Sequence, residues 1–403
     1  MSTQVRRHQV VVVGARCAGA ATAMLLARAG HDVVVLDRAA FPSDTVSTHG
    51  IARGGVVQLS RWGLLDTVHE SGVAPVREVL FRFGEEQTVR RVKDRAGVDH
   101  LVGPRRYALD AVLQDAARDA GATLRTGVTV TGVRRDAVGR VVGVDGHGPG
   151  GEPVAVEAEF VVAADGVRSR MARWLGAGTL HSSPSRTGAF YTYVADVPLE
   201  TASAAYEFHV AQDAFAGIFP THHGRACVWY LAPTRALAGL TAAGAGRAEA
   251  LLSAITAASP SLGARVQAGQ VEAPVRGSVD LPNIVRRPIG RPGAGWALVG
   301  DAGYHRDPIT GHGITDAFRD AELLANAIDI ALRHPGCADD ALAAYQARRD
   351  LALRETFALT RALSAFPRPE RFVELQIQLS DALEREAVDL AAQPAPLGTA
   401  AVA

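Results

Sequence analysis

Val10–Arg38 reads VVVVGARCAGAATAMLLARAGHDVVVLDR, and the rest of the chain is organised around it. Val10–Val13 is a short apolar run, suited to a strand buried on both faces. Gly14 turns the chain. Ala18–Ala29 carries small and aliphatic residues at helical spacing, Gly30 stops that helix, and Val33–Leu36 forms a second buried strand that ends at Asp37. A strand, glycine turn, helix, strand and acid in this order can hold the diphosphate of a dinucleotide. The helix start offers unpaired N–H groups and a partial positive charge. Asp37 can accept from the ribose hydroxyls. The usual G-x-G-x-x-G spacing is altered to Gly14-Ala-Arg16-Cys-Ala-Gly19. The Arg16 guanidinium can pair with a phosphate or point away.

Composition sets outer bounds. The chain has 403 residues, 48% hydrophobic and 21% charged, enough for two or three domains with a large core. Lys+Arg 42 balances Asp+Glu 42, which excludes a net charge that would draw the chain to nucleic acid or an anionic membrane. Cys17, Cys227 and Cys337 form no CxxC pair and no metal-ligand spacing, so no metal is expected and a reduced cytoplasmic setting is the default. No long apolar span appears.

Strand and helix patterns alternate along the chain. Phe41–Gly50 reads as a long polar loop and Ile51–Leu65 as an amphipathic helix. Glu78–Phe83 and Gln87–Val92 suggest a charged hairpin. Tyr107–Ala120 is a helix that ends at Gly121. Thr187–Val197, Ala204–Val210, Gly217–Pro220 and Arg225–Leu231 are strand-like and rich in aromatic residues, which suggests a separate antiparallel sheet. Arg247–Leu262, Ile314–Leu332 and Ala341–Ala365 read as helices. The expected architecture is α/β: a discontinuous Rossmann-like domain over 1–75, 101–180 and 285–335, with an inserted, mainly antiparallel sheet over 76–100 and 181–284. C-terminal helices over 336–390 follow, then an Ala/Pro/Gly-rich tail over 391–403 that is expected to be disordered.

Two further motifs stand at strand ends. FVVAADGVRSR (Phe160–Arg170) places Asp165-Gly166 after an apolar strand. WALVGDAGYHRDPITGHGI (Trp296–Ile314) ends a strand at Gly300-Asp301, passes Pro308, and opens a helix with Gly311-His312-Gly313. With the first unit, these motifs resemble the FAD-dependent aromatic hydroxylase family, the single-component flavoprotein monooxygenases with the para-hydroxybenzoate hydroxylase fold.

The resemblance implies FAD, held by Gly14, Arg16, Gly19, Asp37 and Arg38 at its nucleotide end and by Arg106 near the diphosphate. Val130 is implied near the adenine, Asp165-Gly166 at both FAD and the nicotinamide cofactor, and Gly300-Asp301 at the ribityl chain. His49-Gly50-Ile51 is implied at the flavin ring edge. Pro308, Gly311, His312, Gly313 and Ile314 are implied beneath the ring, where a helix N-terminus stabilises the negative charge of reduced flavin. His312 is there either a proton donor near the flavin or a solvent-facing loop histidine.

NADPH or NADH would reduce the flavin as a transient reductant. A flavin C4a-hydroperoxide would then hydroxylate an aromatic or polyketide-like small molecule. Tyr191 and Tyr193 share one strand face; with Tyr206, His209, Phe219, His222 and Trp229 they are candidates to line the substrate pocket. No catalytic base is evident. The C-terminal helices are expected to cap the FAD domain or to contact a second subunit in a homodimer. The rivals are a C=C reductase of the geranylgeranyl type, a flavin-dependent halogenase and a non-catalytic flavin-binding protein. The halogenase reading lacks its W-x-W-x-I-P motif, and the only lysine, Lys93, stands in the polar run RRVKDR.

Overall fold

The computed structural model describes residues 6–398 except 48, 95 and 280. Its architecture follows from how the first strand, Arg6–Val13, is buried. Val10 and Val12 point into one core, beneath helices Cys17–Arg28 and Gly313–Arg333. Val11 and Val13 point into another, beneath Thr129–Arg135, Val141–His147 and the short helix Arg170–Leu175. A strand covered on both faces needs no polar alternation, which explains the unbroken valines of its buried half, Val10–Val13.

Among the described residues the strands form three sheets. The first runs Thr123–Thr126, Val33–Asp37, Arg6–Val13, Pro153–Ala163, all parallel. The far edge of Pro153–Ala163 is shared. Its first half pairs with the antiparallel meander of Val141–His147 and Thr129–Arg135, and its last residues, Val161–Ala163, pair in parallel with Trp296–Leu298.

The second sheet contains Thr187–Ala195, Arg225–Pro233, Ala214–Pro220 and Ala205–Ala211 in antiparallel order. The hairpin Glu78–Phe83/Glu86–Arg91 extends it, joining Ala205–Ala211 in parallel. The outer strand of the hairpin is exposed throughout and charged, as suits an unpaired edge. Tyr304–His305, Asn283–Arg286 and Thr179–Ser183 form a third, small sheet. The structure is thus the expected α/β fold, a parallel sheet with helices, an inserted, mainly antiparallel sheet and C-terminal helices.

Three local expectations need correction. The single helix expected over Arg247–Leu262 breaks at Ser259, which caps a new helix begun by Pro260. Proline has no N–H and fits a first turn. Helix Pro369–Ala391 does more than cap the first domain: Phe372, Leu375 and Leu379 cover the aromatic face of the second sheet. Finally, the stretch from Ala391, expected to be disordered, is held in place as far as Gly398. Arg61 donates to the Gln393 and Pro394 carbonyls at 2.9 and 2.8 Å, and Leu397 packs on the first core. Backbone carbonyls anchor this stretch, and composition cannot reveal them. Residues 399–403 lie outside the described residues. No described helix is long and apolar enough to cross a membrane.

Candidate functional site

The parallel strands of the first sheet all end at one edge. Val13, Asp37, Ala163 and Leu298 deliver the Gly14 turn, the Asp37 carboxylate, Asp165-Gly166 and Gly300-Asp301 to a common trough. Ligands of open α/β sheets bind in such a crevice, beyond the carboxyl ends of the strands. Packing dictates the first turn. Gly14 has φ +112°, and a Cβ there would stand 2.3 Å from the Ala164 carbonyl oxygen. A Cβ on Gly19 would stand 1.8 Å from the Gly14 oxygen. Helix Cys17–Arg28 begins without a side-chain cap, so its first N–H groups face the trough unclaimed.

Asp37 is held at the mouth, where Oδ2 accepts from Ala15 N and Oδ1 from Ala39 N, each at 2.7 Å. Val130 lies close by, since the neighbouring Val128 N–H donates to the Asp37 carbonyl. Arg38 is exposed beyond this point. Arg16 points away from the helix start and donates to Asp110 Oδ2 at 2.6 Å and to Ser43. Arg106 reaches the same buried Asp110 at 2.9 Å. One carboxylate therefore holds both arginines at the rim. Gln114, one turn further, donates to the Ala15 carbonyl at 2.8 Å and fixes the glycine turn. Sequence reading missed Asp110 and Gln114. Their signal is a row of polar residues, Arg106, Asp110 and Gln114, at four-residue spacing in an otherwise apolar helix face.

Asp165 caps helix Arg170–Leu175: Ser169 Oγ donates to it at 2.5 Å, and Arg170 N and Met171 N at 2.8 and 3.0 Å. Gly166, φ +82°, has open space where a Cβ would go. Asp301 differs. No described residue hydrogen-bonds its carboxylate, and burial raises its pKa despite His305 and Arg106 nearby. This half-buried carboxylate can accept from a hydroxyl.

Opposite lies the turn before Gly313–Arg333. Gly311 (φ +61°) and Gly313 are exposed, and a Cβ on either would meet nothing within 4 Å. The helix has no side-chain cap, and Ile314 is buried behind it. Asp307 braces Pro308 from behind: it accepts from Ser185 Oγ at 2.6 Å, and its own N–H donates to Asn283 Oδ1 at 2.6 Å.

His312 needs correction on both expectations. It is buried, facing neither the trough nor solvent, and its Nε2 lies 3.5 Å from Glu386 on the C-terminal helix. Glu386 and Asp316 carry ion pairs of 2.8–2.9 Å with Arg319, and Arg306 adds another at 2.8 Å to Asp316. His312, Asp316 and Glu386 bring ligand atoms within 4.8 Å of one another, but two guanidiniums already neutralise the carboxylates. The cluster clamps the C-terminal helix beneath the glycine turn.

The second sheet turns its aromatic face to the loop 41–51. Tyr191, Tyr193, Tyr206, Phe219 and Trp229 share one core with Phe372 and Leu375. Tyr191 OH contacts Ser47 N and Thr45 O at 3.3 Å, which pins the loop. His49, at φ +65°, is buried, stacks on Tyr193 at 5.6 Å, and bonds the Tyr193 hydroxyl through Nε2. Its Nδ1 has no partner. Burial, reinforced by Arg106 and Arg105, pushes the imidazole pKa far down, so His49 is neutral at neutral pH. Gly50 lies under Phe219, whose ring a Cβ would meet at 2.8 Å, and Ile51 bridges to Val102.

His209 does not join this wall. It sits on the opposite face of its strand, bonded to Ser259 Oγ at 2.8 Å and to Glu207 at 3.2 Å. Period-two alternation from Tyr206 and Phe208 places it there. His222 lines a cleft of about 410 Å³ with Arg105, Tyr107, Tyr193, His223, Arg225 and Glu272. Arg105 lies 4.0 Å above the Tyr193 ring and is paired with Asp44.

The trough fits a flavin dinucleotide. Two uncapped helix starts face it, one at the crowded glycine turn and one at the open turn, and an unpartnered carboxylate stands between strand ends. Residues 7–263 match the family described as FAD binding domain. The menaquinone reductase of Mycolicibacterium smegmatis is 29% identical over 332 residues, 79% of this chain and 76% of that protein. The digeranylgeranylglycerophospholipid reductase 2 of Methanopyrus kandleri is 29% identical over 405 residues, 94% of this chain and 90% of that protein. Among solved structures, the myxobacterial chondrochloren halogenase CndH superposes with TM-score 0.78 at 21% identity, covering 96% of each chain. PqsL of Pseudomonas aeruginosa, described as a probable FAD-dependent monooxygenase, has TM-score 0.75 at 22% identity, covering 92% of this chain and all of that one. At these identities the structural likeness establishes the fold alone.

Proposed function

We propose, because this chain belongs to the FAD binding domain family of aromatic-hydroxylase-type flavoproteins, that it is an FAD-dependent monooxygenase of an aromatic or polyketide-like small molecule, with NADH or NADPH as reductant. The observation that carries this reading is the cleft of about 410 Å³ where Arg105, Tyr107, Tyr193 and His222 meet at the edge of the aromatic core. A flat aromatic substrate with polar substituents suits such a lining. When bound, FAD supplies two-electron reduction and the reaction with O2.

The chain's own residues have separate tasks in this reading. The Gly14–Gly19 turn and the start of helix Cys17–Arg28 would cradle the diphosphate, and Asp37 and Asp301 would accept from the ribose and ribityl hydroxyls. The N–H groups at Gly313 and Ile314 would favour negative charge on the bound flavin. The aromatic cluster, sealed by Phe372 and Leu375, excludes water. Neutral His49, bonded through Nε2 to the Tyr193 hydroxyl, would position Tyr193, whose ring forms a wall of the cleft beside Arg105 and His222.

A second reading, reduction of a C=C bond, is favoured by the two reductases at 29% identity that span 79% and 94% of the chain. One experiment separates them. Purified holoprotein is supplied with NADH or NADPH and a panel of phenols, quinones and polyketide aromatics under isotopically labelled O2. Label in the product supports hydroxylation. Unlabelled, reduced product formed equally well without O2 supports the reductase.

A further inference from the structure

Away from the trough, helix Leu65–Glu70 meets the segment that precedes helix Arg106–Asp119 through two imidazoles. His69 Nε2 and His100 Nε2 stand 3.0 Å apart, with ring centroids 5.0 Å apart and planes at 45°. The other nitrogen of each ring is committed. His100 Nδ1 faces Asp99 Oδ1 at 2.7 Å, and His69 Nδ1 faces the Val73 carbonyl at 3.2 Å. A carboxylate and a carbonyl only accept, so both Nδ1 atoms must carry the proton and donate it. A neutral imidazole has one proton. Both Nε2 atoms therefore present lone pairs 3.0 Å apart. Reversing either tautomer turns a lone pair onto an oxygen instead. The contact is satisfied when a cation bridges the two nitrogens from off the line that joins them.

We propose that His69 and His100 form a site for one late first-row divalent ion of the Zn2+ class, with water completing its coordination. Imidazole is a preferred ligand of these ions. Nitrogen-to-metal bonds of about 2.0–2.1 Å put two neighbouring ligand nitrogens about 2.9–3.4 Å apart, which includes the observed spacing. The partners on the Nδ1 side, a carboxylate and a backbone carbonyl, are those that orient metal-bound histidines. Asp99 is itself held by Arg77, which donates to it at 2.9 Å. A proton shared between the two rings would leave one imidazole charged. A metal ion requires no proton uptake. Both rings are half-buried, so the ion has a path in from solvent. Bound there, it ties helix Leu65–Glu70 to the segment whose Leu101 and Val102 bridge Val76 and Ile51.

The test uses the full chain, stripped with a chelator, dialysed against Zn2+ and counted by elemental analysis, with Co2+ as the visible-absorbance probe. The expected result is one ion per chain, lost in His69→Ala and in His100→Ala. His312→Gln, which alters the separate acidic cluster, retains it. Asp99→Asn, which leaves both ligands in place, binds about 10–100-fold more weakly. Circular dichroism checks that each variant is folded. The proposal is overturned by occupancy only in large metal excess, by unchanged binding in both histidine variants, or by NMR titration showing the metal-free pair sharing one proton at neutral pH.

Discussion

The two glycine turns of the trough use the same residue for opposite reasons. At Gly14 and Gly19 the protein itself fills the space, and a Cβ would fall 2.3 Å from the Ala164 oxygen or 1.8 Å from the Gly14 oxygen. At Gly311 and Gly313 a Cβ would touch nothing within 4 Å. The first turn is glycine so that strand, helix and the neighbouring Ala164–Asp165 segment can close on one another. In the second, Gly311 adopts a positive φ, and Gly313 leaves a smooth, bare helix start. Glycine in a motif therefore has two meanings. One serves the chain's own packing, and the other keeps clear a surface for something that lies against it.

Substitutions can test that contrast, beginning with the largest expected effect. Gly19→Val should abolish soluble, yellow protein. Its side chain cannot be placed without moving the Gly14 backbone, which takes the cost beyond the roughly 1–3 kcal/mol of an overfilled core. A well-folded Gly19→Val protein with bound flavin would refute the packing account. Asp110→Ala leaves Arg16 and Arg106 without their carboxylate, and about 3–5 kcal/mol of stability should be lost. Denaturant unfolding of the flavin-free protein reads this directly.

Gly313→Ala should behave oppositely. Stability should stay level or rise by up to about 1 kcal/mol, because alanine restricts the unfolded chain. FAD affinity should fall about tenfold, equivalent to about 1.4 kcal/mol. Unchanged affinity by fluorescence titration would mean that nothing lies against this turn.

The last effect is one of pH. Burial, with His223 and Arg105 adding to it, lowers the His222 pKa from 6.5 to about 4. The unfolded chain then binds more protons than the native one within that window, so stability is full above pH 6.5, falls as pH drops toward 4, and levels below. His222→Gln should flatten this limb by up to one proton, with His49 contributing the remainder. Denaturant midpoints at several pH values within the window measure it.

The strand–turn–helix–strand unit, the two further strand-end motifs and the aromatic strands were legible in the residues alone. Each is a local pattern, with an apolar run, a glycine and an acid close together in the chain, and local patterns follow from backbone sterics and hydrogen bonding. Distant segments decided the rest. His312 looks like a flavin-side residue until helix Pro369–Ala391 brings Glu386 to it. His209 looks like a pocket residue until its strand face meets Ser259. Arg16 finds Asp110 only because helix Arg106–Asp119 packs beside the first turn. The tail stays ordered to Gly398 through carbonyls that Arg61 reaches from another helix. Side-chain direction is fixed by whichever charge or surface comes within a few ångströms, and no spacing along the chain encodes that encounter.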